Sequence, residues 1–299
     1  MRNLRTVSND NLGDDSLRSP LRRSAARLLH RDSGYRSRLT GHQSRRSGMS
    51  ASEYILETRG LTKEFKGFVA VNGVSLKVRR GSIHALIGPN GAGKTTCFNL
   101  LTHFLDPTRG SIYFNGNEIT GFKPSSIARM GLVRSFQISA VFPHLTVLEN
   151  VRIALQRKRG TSFEFWRSER VLDALNDRAR ELIDAVGLSD FESTMAVELP
   201  YGRKRALEIA TTLALDPEMM LLDEPTAGMT HADVERISGL IRRVAAKRTV
   251  LMVEHNLSVV SSLSDRITVL QRGEILAEGD YESVSNDPNV VEAYLGKGH

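Results

Sequence analysis

A glycine-rich segment, GPNGAGKT from Gly88 to Thr95, places the strongest constraint on how this chain folds. It follows a short apolar run, Ile83–Ile87, with the composition of a buried strand, and it precedes a helical pattern from about Lys94 to Phe104. Glycines at these positions let the backbone curl so that successive N–H groups converge on one point, unobstructed by side chains. A strand, a glycine-rich turn and a helix in this order predict a loop that binds nucleotide phosphates.

Single residues of this loop have distinct predicted contacts. Lys94 would reach the β- and γ-phosphates as a positive charge, and the Thr95 hydroxyl would be a ligand of Mg²⁺. Thr96 is placed to contact the α-phosphate. The other residues predicted to contact the nucleotide are Gly88, Pro89, Asn90, Gly91, Ala92 and Gly93. The loop therefore predicts a nucleotide and Mg²⁺ as ligands.

Two carboxylates follow a second short apolar run, MMLL at residues 219–222. Acidic residues at a strand end are usually solvated, but these lie about 130 residues after the glycine-rich loop, which favours a functional interpretation. Asp223 would lie beside the Mg²⁺ ion, and Glu224 would face the γ-phosphate and orient or deprotonate the attacking water. We therefore predict Asp223 as a metal ligand and Glu224 as a catalytic residue.

Two further polar residues come at the ends of strand-like runs. His255 follows TVLMV at residues 249–253, and because parallel strands end on one edge of a sheet it should lie near Gly88 and Asp223. An imidazole there can contact the γ-phosphate and sense its loss. Gln137 ends the run VRSFQ, where its amide would reach Mg²⁺ or the attacking water. The apolar segment after it, ISAVFPHL, is a candidate docking surface.

An aromatic ring is the expected contact for the base of the nucleotide. Phe65, in the segment EFKGFVAV, presents a flat face that matches the face of adenine. Phe68 lies in the same segment and is the rival, and packing in the core is a third explanation. We predict Phe65 as the stacking residue.

A basic helix start in ELPYGRKRALEIA, Glu198 to Ala210, allows two interpretations. Apolar residues recur at helical spacing from Arg203 to Leu215, directly after Pro200, Tyr201 and Gly202. A helix N-terminus gathers unpaired N–H groups and therefore binds anions. The alternative is an ordinary join between a loop and a helix.

Strand and helix patterns alternate along the rest of the chain, which predicts an α/β fold with a parallel sheet flanked by helices. Short strand-like runs dominate first: GVSLKV alternates at Val74, Leu76 and Val78, and a hairpin is expected at Asn115-Gly116. Residues 145–185 have helical periodicity, and RITVLQRGEILAEG predicts a second hairpin. The glycine-rich loop occurs once, so the chain holds one copy of its nucleotide-binding module.

The net charge of +7 lies in the first fifty residues. They contain eleven Arg and four Asp with neither Lys nor Glu, which leaves 30 basic and 30 acidic residues in the remainder. A remainder without net charge lacks the basic bias typical of nucleic-acid binders, so we expect no nucleic-acid partner.

Residues 1–50 are rich in Arg and Ser and have no sustained periodicity, so we expect a disordered extension before a domain at 51–299. Three explanations remain open: a start codon placed too early, with Met49 as the true start, a basic interaction tail, and a transit-like segment. The single cysteine, Cys97, permits no internal disulfide. No window approaches the roughly 18 apolar residues of a membrane span, so we expect contact with membranes only through partners.

With these motifs in this order, the chain from about Tyr54 to Gly296 resembles a nucleotide-binding subunit of ATP-binding-cassette transporters. It most resembles the ATPase subunit of branched-chain amino-acid importers, on the segments AVNGVSL, IARMGLVRSFQ, YGRKRALEIA, DEPTAGM and VVEAYLG. The resemblance implies a P-loop NTPase core with an N-terminal antiparallel β subdomain and an inserted helical subdomain at about 138–215. It also implies ATP and Mg²⁺ as cofactors.

The resemblance assigns roles to the candidate residues. Phe65 would be the adenine-stacking aromatic, Gln137 the glutamine of the Q-loop, Glu224 the catalytic base and His255 the switch histidine. Together with Lys94, the last three form the predicted catalytic set, and Thr95, Gln137 and Asp223 form the predicted metal site.

The resemblance also makes LPYGR the signature motif, in which Tyr201 and Gly202 would bind the ATP held by a second ATPase subunit. A homodimer and a heterodimer are equally compatible with the sequence. Two positions depart from the family pattern, since Pro200 replaces the usual serine and Thr230 replaces the usual aspartate.

The implied function is ATP hydrolysis that energises an importer, with branched-chain amino acids as the expected substrate. The expected partners are membrane permease subunits and, indirectly, a substrate-binding protein, which would place the chain on the cytoplasmic face of the inner membrane. The alternatives are the ATPase subunit of a lipid or lipopolysaccharide exporter and a soluble ATPase that acts outside transport.

Overall fold

Two β-sheets organise the part of the chain that this computed structural model describes, residues 53–135, 141–158 and 175–295. Gln137 and the predicted extension at 1–50 lie outside the described residues. The strands are β1 Tyr54–Phe65, β2 Phe68–Val74, β3 Lys77–Arg79, β4 Ile83–Ile87, β5 Arg109–Phe114, β6 Asn117–Glu118, β7 Leu132–Ser135, β8 Met219–Asp223, β9 Thr249–Val253, β10 Arg266–Gln271 and β11 Glu274–Gly279.

The helices of the described residues fall mainly between these strands. They are α1 Lys94–Leu101, α2 Pro124–Arg129, α3 Val147–Lys158, α4 Asn176–Ala185, α5 Tyr201–Ala214, α6 His231–Ala245, α7 Leu257–Leu263, α8 Tyr281–Ser285 and α9 Pro288–Leu295. Two short 3-10 helices, Ser189–Phe191 and Ala196–Glu198, precede α5. Within the described ranges, none of these helices combines the length and the apolar character that a bilayer crossing requires.

The larger sheet has the order β11-β10-β4-β9-β8-β7, in which all neighbours are parallel except the hairpin of β10 and β11. Every residue of β4, β8 and β9 is buried, because helices or the second sheet cover both faces of these central strands. Along β9, Val250 and Met252 belong to one hydrophobic core, and Leu251 and Val253 belong to the other. The predicted α/β fold with a mostly parallel sheet is confirmed.

The second sheet is antiparallel, with the order β2-β1-β5-β6 and β3 paired to β1. It packs over α1 through one of the two cores, which contains Phe98 and Phe114. Both predicted hairpins form, one between β5 and β6 and the other between β10 and β11. In the helical region, α3 packs against α4 and α5.

Some predicted boundaries were wrong. Helix α1 ends at Leu101, before the predicted Phe104, because the chain turns at His103, which has a φ of 54°. Helix α5 begins at Tyr201 and not at Arg203, since Pro200 with its φ of −55° caps the helix. A proline is accommodated there because the first N–H groups of a helix need no partner within it.

The GVSLKV segment does not form the single strand that its alternation predicts. β2 ends at Val74 and β3 begins at Lys77, although Val74, Leu76 and Val78 are all buried as expected. Thr58 of β1 fills the break: its hydroxyl accepts a hydrogen bond from the Leu76 N–H at 2.8 Å and donates one to the Val74 carbonyl at 2.9 Å. The Thr58 N–H also donates to the Leu76 carbonyl at 2.9 Å, so the backbone and the side chain of one residue together bridge the break.

Replacement of Thr58 by valine tests this bridge. Because the substitution leaves a buried N–H and a buried carbonyl without their partner, we expect the free energy of unfolding to fall by about 1–3 kcal/mol. Urea unfolding followed by circular dichroism measures the change. Thr58→Ser keeps the hydroxyl and should lie closer to the wild type, and equal losses in the two variants would contradict the bridge.

Candidate nucleotide-binding site

A cleft with a volume of about 320 Å³ opens beside the glycine-rich loop. The loop follows β4, Glu224 follows β8, and His255 comes shortly after β9. These three strands are parallel neighbours in the sheet, so the segments that follow them leave the sheet at the same edge. The cleft is lined by Phe68, Ala70, Asn90, Gly91, Ala92, Gly93, Lys94, Thr95, Thr96, Glu224 and His255. The structure therefore brings most of the predicted site residues together.

The loop has a shape that only glycine permits at its first position. Gly88 has a φ of 149°, and a Cβ atom there would lie 2.1 Å from the carbonyl oxygen of Leu270. Lys94 is buried and donates from Nζ to the Gly88 carbonyl at 2.7 Å and to the Pro89 carbonyl at 3.0 Å. Two neutral acceptors hold its charge in a position where a phosphate oxygen would be a stronger partner.

The pKa of Lys94 reflects this environment. Burial lowers the pKa of Lys94 below its usual value, and the negative charges of Glu224 and Asp223 partly oppose that shift. A phosphate in the cleft would add further negative charge and favour the protonated amine.

Asp223 lies at the buried end of β8 with its two carboxylate oxygens in different environments. Oδ2 forms an ion pair with Arg134, whose guanidinium also donates to the Asn99 side chain at 2.6 Å. Oδ1 is buried and accepts no hydrogen bond from the described residues. A buried carboxylate oxygen without a donor fits a hard cation such as Mg²⁺.

The ion pair between Arg134 and Asp223 was not predicted from the sequence. Arg134 is one residue from the end of β7 and mostly buried, with its guanidinium 5.7 Å from the centre of the Phe98 ring. An arginine inside the apolar run LVRS was the available signal, because a charge in a buried strand requires a partner. Asp223 is that partner.

Glu224 and His255 meet directly across the cleft. His255 Nε2 lies 2.7 Å from Glu224 Oε1, and both side chains are partly exposed. Glu224 has a φ of 44°, in the left-handed region that non-glycine residues rarely adopt. Strain of this kind persists where the surroundings determine the conformation, and it occurs often at functional sites.

The two candidate aromatics occupy different positions. Phe65 and Phe68 pair across the tight turn between β1 and β2. Phe68 lines the cleft and is 68% exposed, whereas Phe65 is 41% exposed and has the Lys63 amine 5.2 Å from its ring centre. Neither ring is a core residue, which makes packing the weakest of the three explanations.

The signature-like segment forms the start of α5. Pro200 accepts hydrogen bonds from the N–H groups of Arg203 and Lys204, both at 2.9 Å. Tyr201 is 60% exposed, and Gly202 is buried in the first turn. The Arg203 guanidinium donates to the Gly187 carbonyl at 2.6 Å and lies 4.9 Å from the centre of the Phe191 ring.

Gly202 is in close contact with α6 of the same chain. A Cβ atom on Gly202 would lie 2.6 Å from Asp233 Oδ1 and 2.7 Å from its Cγ. Thr230 caps α6, donating to Asp233 Oδ2 at 2.9 Å and accepting from its N–H at 3.3 Å, while Arg236 pairs with Oδ1. The threonine that departs from the family pattern therefore has a local role as a helix cap.

A parallel sheet with a glycine-rich loop between β4 and α1, and with acidic and histidine side chains at its edge, defines a P-loop nucleotide-binding protein. The model of the ABC transporter family matches residues 71–227. A model described as branched-chain amino acid ATP-binding cassette transporter matches residues 274–299.

Known proteins agree with these matches. The high-affinity branched-chain amino acid transport ATP-binding protein BraF of Pseudomonas aeruginosa is 41% identical over 256 residues, which cover 82% of this chain and 99% of BraF. A crystal structure of an ATP-binding cassette of an ABC transporter in its ADP conformation aligns with a TM-score of 0.73 and 32% identity, over 82% of this chain and 99% of that one.

A dimeric ATP-binding cassette in a post-hydrolysis state, bound to ADP and Pi, has a TM-score of 0.64 and 25% identity over 76% of this chain and 98% of that one. The chain belongs to the ABC transporter family of ATP-binding cassettes and is an ATPase of that family. The family resemblance of the sequence is confirmed.

The contact between Gly202 and Asp233 leads to a test. Gly202→Ala should lower the free energy of unfolding by about 1–3 kcal/mol, because the added methyl overlaps a carboxylate held by two neighbours. Addition of Asp233→Ala should recover most of that loss in a double-mutant cycle measured by urea unfolding.

The same loss in the presence and absence of Asp233 would contradict this contact. The result also bears on larger substitutions. A loss of dimerisation in Gly202→Asp follows from the clash within one chain as well as from repulsion of a phosphate. Gly202→Asp alone therefore does not separate the two causes.

Proposed function

We propose that this chain is the ATPase subunit of an importer for branched-chain amino acids, with the cassette at residues 51–299. The convergence of the glycine-rich loop, Glu224 and His255 on one cleft carries the proposal of the active site. The 41% identity to BraF along 99% of its length supports the transport role. The match of a branched-chain transporter model to residues 274–299 favours import over lipid export and over a role outside transport.

The geometry of the cleft supports the proposed residue roles. Lys94 exchanges its two carbonyl acceptors for β- and γ-phosphate oxygens, while the loop from Gly88 to Gly93 donates backbone N–H groups. Glu224 accepts a proton from the attacking water or orients it. His255, which contacts Glu224, donates to the γ-phosphate and holds the carboxylate in place.

Mg²⁺ would be held by the Thr95 hydroxyl, Asp223 Oδ1 and the Gln137 amide. When bound, the ion spreads the negative charge that develops on the phosphates. Arg134 keeps the Asp223 carboxylate oriented through Oδ2, so that Oδ1 stays directed away from the ion pair. Thr96, which follows Thr95 in α1, contacts the α-phosphate.

The adenine contact is proposed for Phe65, on the resemblance of its segment to the family. Stacking of a base on an aromatic ring is worth about 1–3 kcal/mol. Phe68 is the alternative, supported by its position in the cleft lining.

A second ATPase subunit is the first proposed partner, in a homodimer or a heterodimer. Tyr201 is exposed at the start of α5, and Tyr201 and Gly202 would meet the γ-phosphate of the ATP held by that subunit. The dimeric cassette that this chain resembles supports such an arrangement.

Membrane permease subunits are the second proposed partner. Phe142, Met195 and Val197 are exposed apolar side chains of the helical region. The segments that carry them are joined by a hydrogen bond from the Val197 N–H to the Pro143 carbonyl at 2.8 Å. Phe142 of this surface follows Gln137 by five residues, so a change at the γ-phosphate would be transmitted to it through that short segment. A substrate-binding protein would act through the permease, with the ATPase on the cytoplasmic face of the membrane.

The distinct roles of Lys94 and Glu224 predict distinct defects. Lys94→Ala should remove tight ATP binding, because the loop loses the charge that clamps the phosphates, whereas Glu224→Gln should keep ATP binding and lose turnover. Binding of a fluorescent ATP analogue and release of phosphate measure the two quantities. Lys247→Ala, which removes an exposed lysine outside the cleft lining, is the matched control for loss of a lysine. Unchanged affinity in Lys94→Ala would refute the assigned clamp.

Uptake of radiolabelled leucine tests the transport proposal. Cells that lack the chain should lose uptake driven by ATP, and the wild-type gene should restore it while Glu224→Gln should not. Uptake of labelled urea and of an aliphatic amide in the same cells serves as the comparison. Full leucine uptake without the chain, with loss of urea or amide uptake, would reassign the substrate and leave the ATPase proposal standing.

A further inference from the structure

Glu254, between β9 and His255, is a buried carboxylate that neither the cleft lining nor the predicted roles include. The residue is 3% exposed. Oε1 accepts from the Thr226 N–H at 2.9 Å and from the Thr226 hydroxyl at 2.7 Å. Oε2 accepts from the N–H groups of His255 at 3.1 Å and of Asn256 at 3.3 Å. Four donors from two different segments of the chain therefore converge on one carboxylate.

These hydrogen bonds connect the two chain segments at the end of the cleft where we propose that the γ-phosphate binds. Thr226 follows Glu224 by two residues, and the Glu224 N–H donates to the Val253 carbonyl at 2.9 Å. The Glu224 carboxylate meets His255 Nε2 at 2.7 Å. The segment after β8 and the segment after β9 are thus joined through their backbones, through Glu254 and through the Glu224–His255 contact.

These hydrogen bonds to Glu254 require a carboxylate at that position. Both oxygens accept two hydrogen bonds, and an amide would present donor hydrogens to one of the two pairs of donors. Among the ion pairs of the described residues none involves Glu254, so N–H and O–H groups stabilise its charge. A shorter aspartate would not reach both segments, since a side chain shortened by one carbon spans less than the observed bridge.

We propose that Glu254 is a positioning residue that holds Glu224 and His255 in the geometry needed for ATP hydrolysis. The inference rests on the roles proposed above for those two residues. Glu254 acts through the backbone of His255 and through Thr226, and it does not itself line the cleft. Its loss therefore disturbs turnover and leaves nucleotide binding nearly intact.

Steady-state ATP hydrolysis by the full chain tests the proposal. Glu254→Gln should lower kcat by about ten- to a hundredfold, since small displacements of reacting groups have effects of this size. KM should stay within about twofold, because the phosphate-binding loop is unchanged. Glu278→Gln is the matched control: Glu278 also accepts from a threonine hydroxyl, that of Thr268 at 2.8 Å, but in the β10–β11 hairpin. Its kcat should stay within about twofold of the wild type.

A second readout separates positioning from a general loss of stability. In protein labelled with ¹⁵N-histidine, the signal of His255 is identified among the eight histidines by its absence in His255→Ala. In Glu254→Gln this signal should move toward its position in Glu224→Ala, where the contact partner is removed. An unchanged His255 signal, or an unchanged kcat, in Glu254→Gln would overturn the proposal.

Variants of Thr226 keep the test decisive if Glu254→Gln fails to fold. Thr226→Ser retains the hydroxyl that bonds Oε1 and should keep kcat, whereas Thr226→Val should lower it with KM preserved. Equal kcat values in these two variants would also overturn the proposal. Glu224→Gln and His255→Ala are measured in parallel. If both variants hydrolyse ATP normally, the proposed active site is wrong. If those two variants are impaired but the Glu254 and Thr226 variants hydrolyse ATP normally, only the positioning role is wrong.

Discussion

The parallel pairing of β4, β9 and β8 is the constraint on which the rest of the site depends. Leu86 lies beside Val253, and Val253 lies beside Asp223, so the three strands end at one level. The glycine-rich loop, Glu224 and His255, which follow these three strands, therefore line the same cleft. A change of register by one residue would move each buried side chain to the opposite face of the sheet and separate the loop from its carboxylates. The two hydrophobic cores that oppose this change therefore also maintain the site.

The charged side chains at this edge of the sheet are paired in a way that allows the cleft to bind a polyanion. The buried Lys94 amine is held by carbonyl oxygens, and burial lowers its pKa while Asp223 and Glu224 raise it. Arg134 neutralises one oxygen of Asp223 and leaves the other without a donor among the described residues. A magnesium nucleotide, the ligand proposed for this cleft, would offer anionic phosphates to Lys94 and a cation to Asp223. Binding of this ligand would thus replace weak contacts with stronger ones.

The start of α5 and the start of α6 form a second centre that is linked to the first. Gly202 lies against Asp233, and Thr230 caps α6 beside it. Arg205, three residues further along α5, is buried, pairs with Glu208 and donates to the backbone carbonyl of Asp223 at 2.7 Å. The start of α5 is the segment proposed to meet the nucleotide of a second subunit. Helix α5 is therefore in direct contact with β8, the strand that carries Asp223, the proposed metal ligand of the same chain. In the proposed dimer, this contact would connect the two nucleotide sites.

The sequence by itself determined the fold class, the nucleotide loop and the carboxylates after β8, because each depends on a local pattern of a few residues. Glycine spacing, short apolar runs and strand-end acids are visible without knowledge of any long-range contact. Only the tertiary structure decided the break between β2 and β3, the pairing of Arg134 with Asp223 and the burial of Gly202 against Asp233. It alone also brought Thr226 and Glu254 together, 28 residues apart in the chain. Such contacts follow from strand order and side-chain packing, and no sequence period encodes which buried polar group will meet which donor.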